Sequence, residues 1–150
     1  MQNLEMYFPV DNLAWYNGVG DIMQRYVFNP TLQAPLRYVH PLQLDGVKKL
    51  LSHPFPDYVE RVILFGGSLD LSCGVDSDLD FYVISEHEPL AVYREMHERC
   101  VQLGRPFDIL VSPHEDFIAE AQEFGTVEYD IAKEGLCLYA KEGSRPCIKS

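Results

Sequence analysis

The sequence predicts an α/β (α+β) domain: one mixed β-sheet flanked by helices. Three observations carry that prediction. Four short runs rich in β-branched, aromatic and other apolar residues suit buried strands: VERVILF (59–65), LDFYVIS (79–85), FDILV (107–111) and LCLYA (136–140). Other segments carry apolar residues at the three- and four-residue spacing of a helix face. The length of 150 residues fits a single domain with a real core, whereas two domains would each be small.

Taken in order, residues 1–40 form an aromatic-rich N-terminal arm (MYF, WYNGVG, RYVF, LRYVH) with weak periodicity, and a short helix is expected around Gly20 to Tyr26. The domain proper is expected over 41–141, with 142–150 as a C-terminal tail. Leu44, Val47, Leu50 and Leu51 mark a helix that Pro54 and Pro56 cannot continue. Strands at 59–65 and 79–85 follow. Pro89 suits a first helical position, Leu90, Tyr93, Met96 and Cys100 share one helical face, and Gly104 is the expected stop. After the strand at 107–111, Ser112 and Glu115 have the spacing of a capping box, with Pro113 as the first helical residue. A last helix from Thr126 to Gly135 leads into the closing strand. The predicted order is helix, strand, strand, helix, strand, helix, helix, strand.

Composition narrows the function classes. Net charge is −11 at pH 7, a surface that repels a phosphate backbone and so disfavours a nucleic-acid polymer as partner. A small nucleotide escorted by a divalent ion is compatible with it, because the ion reverses the local sign, and so is a basic protein. No apolar run approaches the roughly 20 residues of a membrane span, and MQNLEMYFPVDN has neither the basic start nor the apolar centre of a signal peptide. A cytoplasmic protein with no membrane partner is therefore expected. Cys73, Cys100, Cys137 and Cys147 form no CxxC pair and read as reduced thiols.

The chemistry concentrates in FGGSLDLSCGVDSDLDFYV, residues 65–83. On a strand, residues two apart share a face, so Asp78 and Asp80 present two carboxylates together while Leu79 and Phe81 turn into apolar packing. Carboxylates this close repel unless a positive charge is supplied. Hard oxygen ligands at this spacing suit Mg²⁺ (or Mn²⁺), which takes one or two carboxylates together with substrate phosphates. Asp108, the one acid in FDILV, joins them if its strand lies beside residues 79–85. Three converging acids suit two metal ions about 3.5–4 Å apart, the arrangement of phosphoryl and nucleotidyl transfer. Gly66, Gly67 and Ser68 supply the complement, since glycine lets backbone amides approach phosphate and the serine hydroxyl adds a hydrogen bond.

Other polar residues read as ordinary ones. His114 is expected as an exposed residue of a capped first turn and His97 as a surface residue. Arg94, Arg99 and Arg105 read as solvated cations, and Lys133 as occupied by Asp130 and Glu134 along its own helix.

An apolar strand, Gly-Gly-Ser, a spacer of about ten residues and then Asp-x-Asp resembles the nucleotidyltransferase superfamily that includes DNA polymerase β, in its minimal nucleotidyltransferase branch. RPFDILVSPHEDF and GTVEYDIAKEGLCLYA are similar to the tail of that branch, and the resemblance spans roughly 42–140. It implies the nucleotidyltransferase fold, with Asp78, Asp80 and Asp108 as catalytic and metal-binding residues and Gly66, Gly67 and Ser68 holding the triphosphate of ATP or another NTP. It implies transfer of an NMP to an acceptor hydroxyl. The size of the chain favours an acceptor on a partner protein, such as the toxin-like companions of minimal family members, over an antibiotic. One departure stands out: the spacer LDLSCGVDS has no Lys or Arg where many members carry a basic residue. A non-catalytic, antitoxin-like binding module that kept the fold is the second expectation. A phosphohydrolase ranks below both, because the glycine turn suits a triphosphate.

Overall fold

In the computed structural model, residues 39–66 and 77–144 are described. The arm up to residue 38, with the short helix expected there, lies outside them, as do Gly67, Ser68, Cys73 and Cys147. Helix α1 (Pro41–Leu51) is followed by β1 (Val59–Phe65), β2 (Leu79–Ser85) and α2 (Pro89–Cys100), which a short 3₁₀ turn extends to Leu103. Then come β3 (Phe107–Ser112), α3 (His114–Ala121), α4 (Val127–Glu134) and β4 (Leu136–Ala140). The expected α/β class and element order are those observed.

The four strands form one open mixed sheet in the order β3-β2-β1-β4. β1 runs antiparallel to both β2 and β4, and β3 runs parallel to β2 after the α2 crossover. Helices cover both faces. Gly46 of α1 lies against Leu79, and His97 of α2 meets Phe107 edge-on at 5.3 Å. Leu79 and Phe107 are register partners, so α1 and α2 share that face. On the other face Phe117 of α3 packs edge-on against Tyr82 at 5.2 Å, and Gly135 at the end of α4 lies against Ile63, the register partner of Tyr82. Covered on both sides, β2 buries Leu79 and every residue from Phe81 to Ser85, which is why it reads as a continuous apolar run.

The helix boundaries come from identifiable caps. His40 accepts from Leu42 N–H at 3.2 Å and Pro41 opens α1. The Glu88 carboxylate accepts from Leu90 and Ala91 N–H ahead of α2, and Thr126 Oγ1 accepts from Tyr129 N–H to start α4. Such caps satisfy amides that have no partner within the helix.

Three local expectations are corrected. The buried face of α2 is Val92, Met96 and Cys100, while Leu90 and Tyr93 are 52% and 40% exposed. Val92 lies four residues before Met96 and eight before Cys100, a straighter stripe than the one through Leu90. The capping box at Ser112 does not form. Ser112 is the last residue of β3, its hydroxyl lies 2.8 Å from that of Tyr82, and Pro113 takes the N-cap position without a side-chain cap. The first turn of α3 is satisfied instead by Glu86, whose carboxylate accepts from His114 N–H at 2.8 Å. His114, expected at the surface, is buried. Cys100 and Cys137 are buried free thiols, and burial pushes both up, Cys100 to about 12. Among the described residues no helix is long and apolar enough to cross a membrane.

Candidate metal centre

Two ladders fix the place of Asp80. It pairs with Asp108 across the parallel β2–β3 ladder and with Phe65 across the antiparallel β1–β2 ladder. Register partners in neighbouring strands point to the same face, so the Asp80 and Asp108 carboxylates stand side by side. Asp78 precedes β2 by one residue and joins them. Each of the three offers a carboxylate oxygen within 4.8 Å of the others. Asp78 and Asp108 are exposed and Asp80 is half-buried. The predicted convergence of the three acids is therefore present in the fold.

The cluster gathers groups of like charge. Partial burial, then the nearby Asp108 and Asp78 charges, push Asp80 from the ordinary 3.8 up to about 6. Removing a carboxylate from water and adding like charges both disfavour its ionised form. Carboxylates gathered this closely suit a hard cation held through oxygen ligands.

Gly66 is shaped to this arrangement. It follows β1 directly and has φ +78°, a conformation that costs a side-chain-bearing residue energy. A Cβ there would collide with Asp80 Oδ2. The glycine expected to admit phosphate thus also admits the Asp80 carboxylate. Gly67 and Ser68, expected to hold the triphosphate with it, lie outside the described residues.

Three of the cations weighed in the sequence, Arg99, Arg105 and Lys133, have other contacts. Arg99 bridges to Glu95 at 2.9 Å, donates to the His53 and Pro54 carbonyls at 3.1 and 2.5 Å, and lies over the Phe55 ring. Arg105 donates to the Leu42 carbonyl at 2.6 Å. Lys133 stands 5.0 Å from the centre of the Tyr129 ring rather than on the acids expected beside it. A cleft of about 510 Å³ lined by Lys49, His53, Glu95 and Arg99 opens between α1 and α2, on the far side of the sheet from the acids.

Sequence reasoning missed the polar residues that frame the site. Gln43 is wholly buried and its Nε2 donates to the Ser77 carbonyl at 2.9 Å, directly before Asp78. One signal was available: Gln43, Gly46, Val47 and Leu50 fall at i, i+3, i+4 and i+7 and are the buried stripe of α1. Two residues beyond Asp80 on the same face, the Tyr82 hydroxyl lies 2.8 Å from Ser112 Oγ and donates to Glu128 at 2.8 Å. No local pattern marks that contact, which joins three separate elements.

No protein-family model matches the chain, and no curated protein matches it in sequence. Among solved structures, it is similar to a chain of the tri-AMPylated Shewanella oneidensis HEPN toxin in complex with MNT antitoxin. The two are 18% identical, the match covers 67% of this chain and 74% of that one, and the TM-score is 0.39. At that score the superposable backbone is too small to carry a functional inference. The site's own geometry carries it instead.

Proposed function

We propose that this chain is a metal-dependent nucleotidyltransferase that moves an NMP from an NTP, ATP being the first candidate, to an acceptor hydroxyl on a partner protein. One observation carries the reading: Asp78, Asp80 and Asp108 bring carboxylate oxygens within 4.8 Å of one another beside the Gly66 turn. The donor set fits Mg²⁺ or Mn²⁺, being all hard carboxylate oxygen. Asp78, Asp80 and Asp108 would hold the metal, which when bound neutralises the triphosphate and polarises the reacting oxygens. In the reaction the acceptor oxygen forms a bond to the α-phosphorus, the bond to pyrophosphate breaks, and the hydroxyl proton passes to Asp108. The turn at Gly66, Gly67 and Ser68 would hold the departing phosphates through backbone amides and the serine hydroxyl. The chain contributes positioning and charge, with no covalent step on the protein. The net charge of −11 supports an acceptor protein with a basic surface.

The test is a thermal-unfolding panel with each of the four common NTPs, with and without Mg²⁺, on wild type and Asp78→Asn. A ligand that binds the folded state raises the midpoint by mass action. A Mg²⁺-dependent rise with one NTP that is lost in Asp78→Asn supports the site, and that nucleotide, α-labelled, then serves to find the acceptor. No rise with any nucleotide sinks the assignment.

A second reading, a binding module without turnover, is favoured by one observation. The spacer 69–77 contains no Lys or Arg, and Arg99, Arg105 and Lys133 are engaged on other groups. In this reading the acidic surface neutralises a basic partner by contact. Co-purification of that partner, unchanged by Asp78→Asn in a chain that shows no nucleotide response, would select it.

A further inference from the structure

We infer that Gln43 is a positioning residue for the acid cluster: its side-chain amide fixes the backbone immediately ahead of Asp78. The inference rests on the reading that the three aspartates hold a cation. Asp78 lies outside the β2 ladder, which begins at Leu79, so sheet pairing alone does not set its place. The Gln43 Nε2 hydrogen bond to the Ser77 carbonyl, 2.9 Å long, acts on the residue that does. Gln43 Oε1 is buried and has no hydrogen-bond partner among the described residues. An unmet buried acceptor is a cost that a leucine in the same stripe would not carry. What the amide supplies in exchange is the donor to Ser77.

Helix α1 braces the same corner at further points. A Cβ on Gly46 would stand only 3.0 Å from Leu79 Cδ1, so the helix lies tight against the residue between the two aspartates. Arg105 donates to the Leu42 carbonyl at 2.6 Å, which ties the approach to the Asp108 strand to the start of α1. Leu79 N–H donates to the Pro106 carbonyl at 2.9 Å and couples the two strand starts directly. The backbone ahead of Asp78 and the backbone ahead of Asp108 thus share one support. Gln43 touches no reacting group and acts through Ser77, as groups beyond the ligands of a metal site commonly do.

The experiment is a Mn²⁺ titration of the full chain, followed by the loss of the free-ion electron paramagnetic resonance signal. Gln43→Met keeps the side-chain length and removes the donor. Its Mn²⁺ affinity is expected to fall about tenfold, the lower end of what such partners contribute. Gln43→Asn, an amide too short to reach Ser77, is expected to behave alike. Val47→Ala on the same helix loses core packing and is expected to leave affinity unchanged. The loss on Gln43→Met should vanish when Asp78→Asn is already present, because no carboxylate then remains at that position to be held. An unchanged affinity in Gln43→Met, or an equal loss in the Asp78→Asn background, overturns the inference. If wild type binds no Mn²⁺, the cation reading fails separately, and the positioning role is read from hydrogen exchange at Leu79 N–H. Faster exchange in Gln43→Met but not in Val47→Ala upholds that role, and equal rates reject it.

Discussion

Asp80 and Tyr82 are two residues apart on β2 and face the same way, yet their surroundings are opposites. Tyr82 is buried against Phe117, and its hydroxyl meets Ser112 and Glu128 at 2.8 Å each. Burial raises the phenol well above its ordinary range, so it stays protonated and donates. Asp80 sits one pleat closer to the open end of the sheet, facing Asp108 and Asp78. The first group of side chains completes itself from within the chain. The second gathers three carboxylates of like charge, and that difference separates a structural polar contact from a candidate binding site on one strand face.

The comparison breaks most decisively at Asp80. Asp80→Asn is expected to lower the proposed nucleotidyl transfer about a hundredfold or more while the far-ultraviolet circular dichroism stays native. Without metal at pH 7.5 the same variant should melt at or above the wild-type midpoint, because it removes like-charge repulsion. A large drop in its midpoint would mean that the carboxylate is structural. Gly66→Ala comes next. The positive φ and the collision with Asp80 Oδ2 should together cost about 1–3 kcal/mol in urea unfolding and weaken Mn²⁺ binding with it.

Tyr82→Phe reverses the pattern. It leaves Ser112 and Glu128 short of a partner and should cost about 1–3 kcal/mol of stability, with Mn²⁺ affinity unchanged. Loss of metal affinity in that variant would show that the two groups are not independent. The smallest expected effect is on pH. Asp80 binds its proton more tightly folded than unfolded, so its contribution to stability is fully present below about 3.8 and is lost as pH rises through about 6. A bound cation favours the ionised form, so Mg²⁺ should raise the melting midpoint more at pH 7.5 than at pH 5. An equal rise at both values would place the ion elsewhere.

How far the sequence could be read depended on whether a feature was local. β1, β2 and β4 were legible as apolar runs because their two faces are both covered, and α4 because Thr126 and Gly135 bracket it. Asp78 and Asp80 were legible because strand geometry alone puts them on one face. Asp108 needed a further condition, that β3 lie beside β2, and the parallel register meets it by pairing Asp80 with Asp108. What could not be read was set by contacts across the chain. Ser112 has capping-box spacing, but the Tyr82 hydroxyl draws its side chain inward and Glu86 serves the helix in its place. Gln43 drew no reading, because its partner Ser77 lies 34 residues further along the chain.

The Glu86 contact has a consequence for the order in which the chain folds. Helix α3 has eight residues, and none of its first-turn amides is capped by its own N-cap residue. A segment that short is marginal alone, and the carboxylate that serves its start belongs to the residue that follows β2. A peptide spanning 112–125 should therefore be largely unstructured in water. In the whole chain the helix would consolidate only after β2 has taken its place, so that its formation reports on the assembly of the sheet that carries the acids.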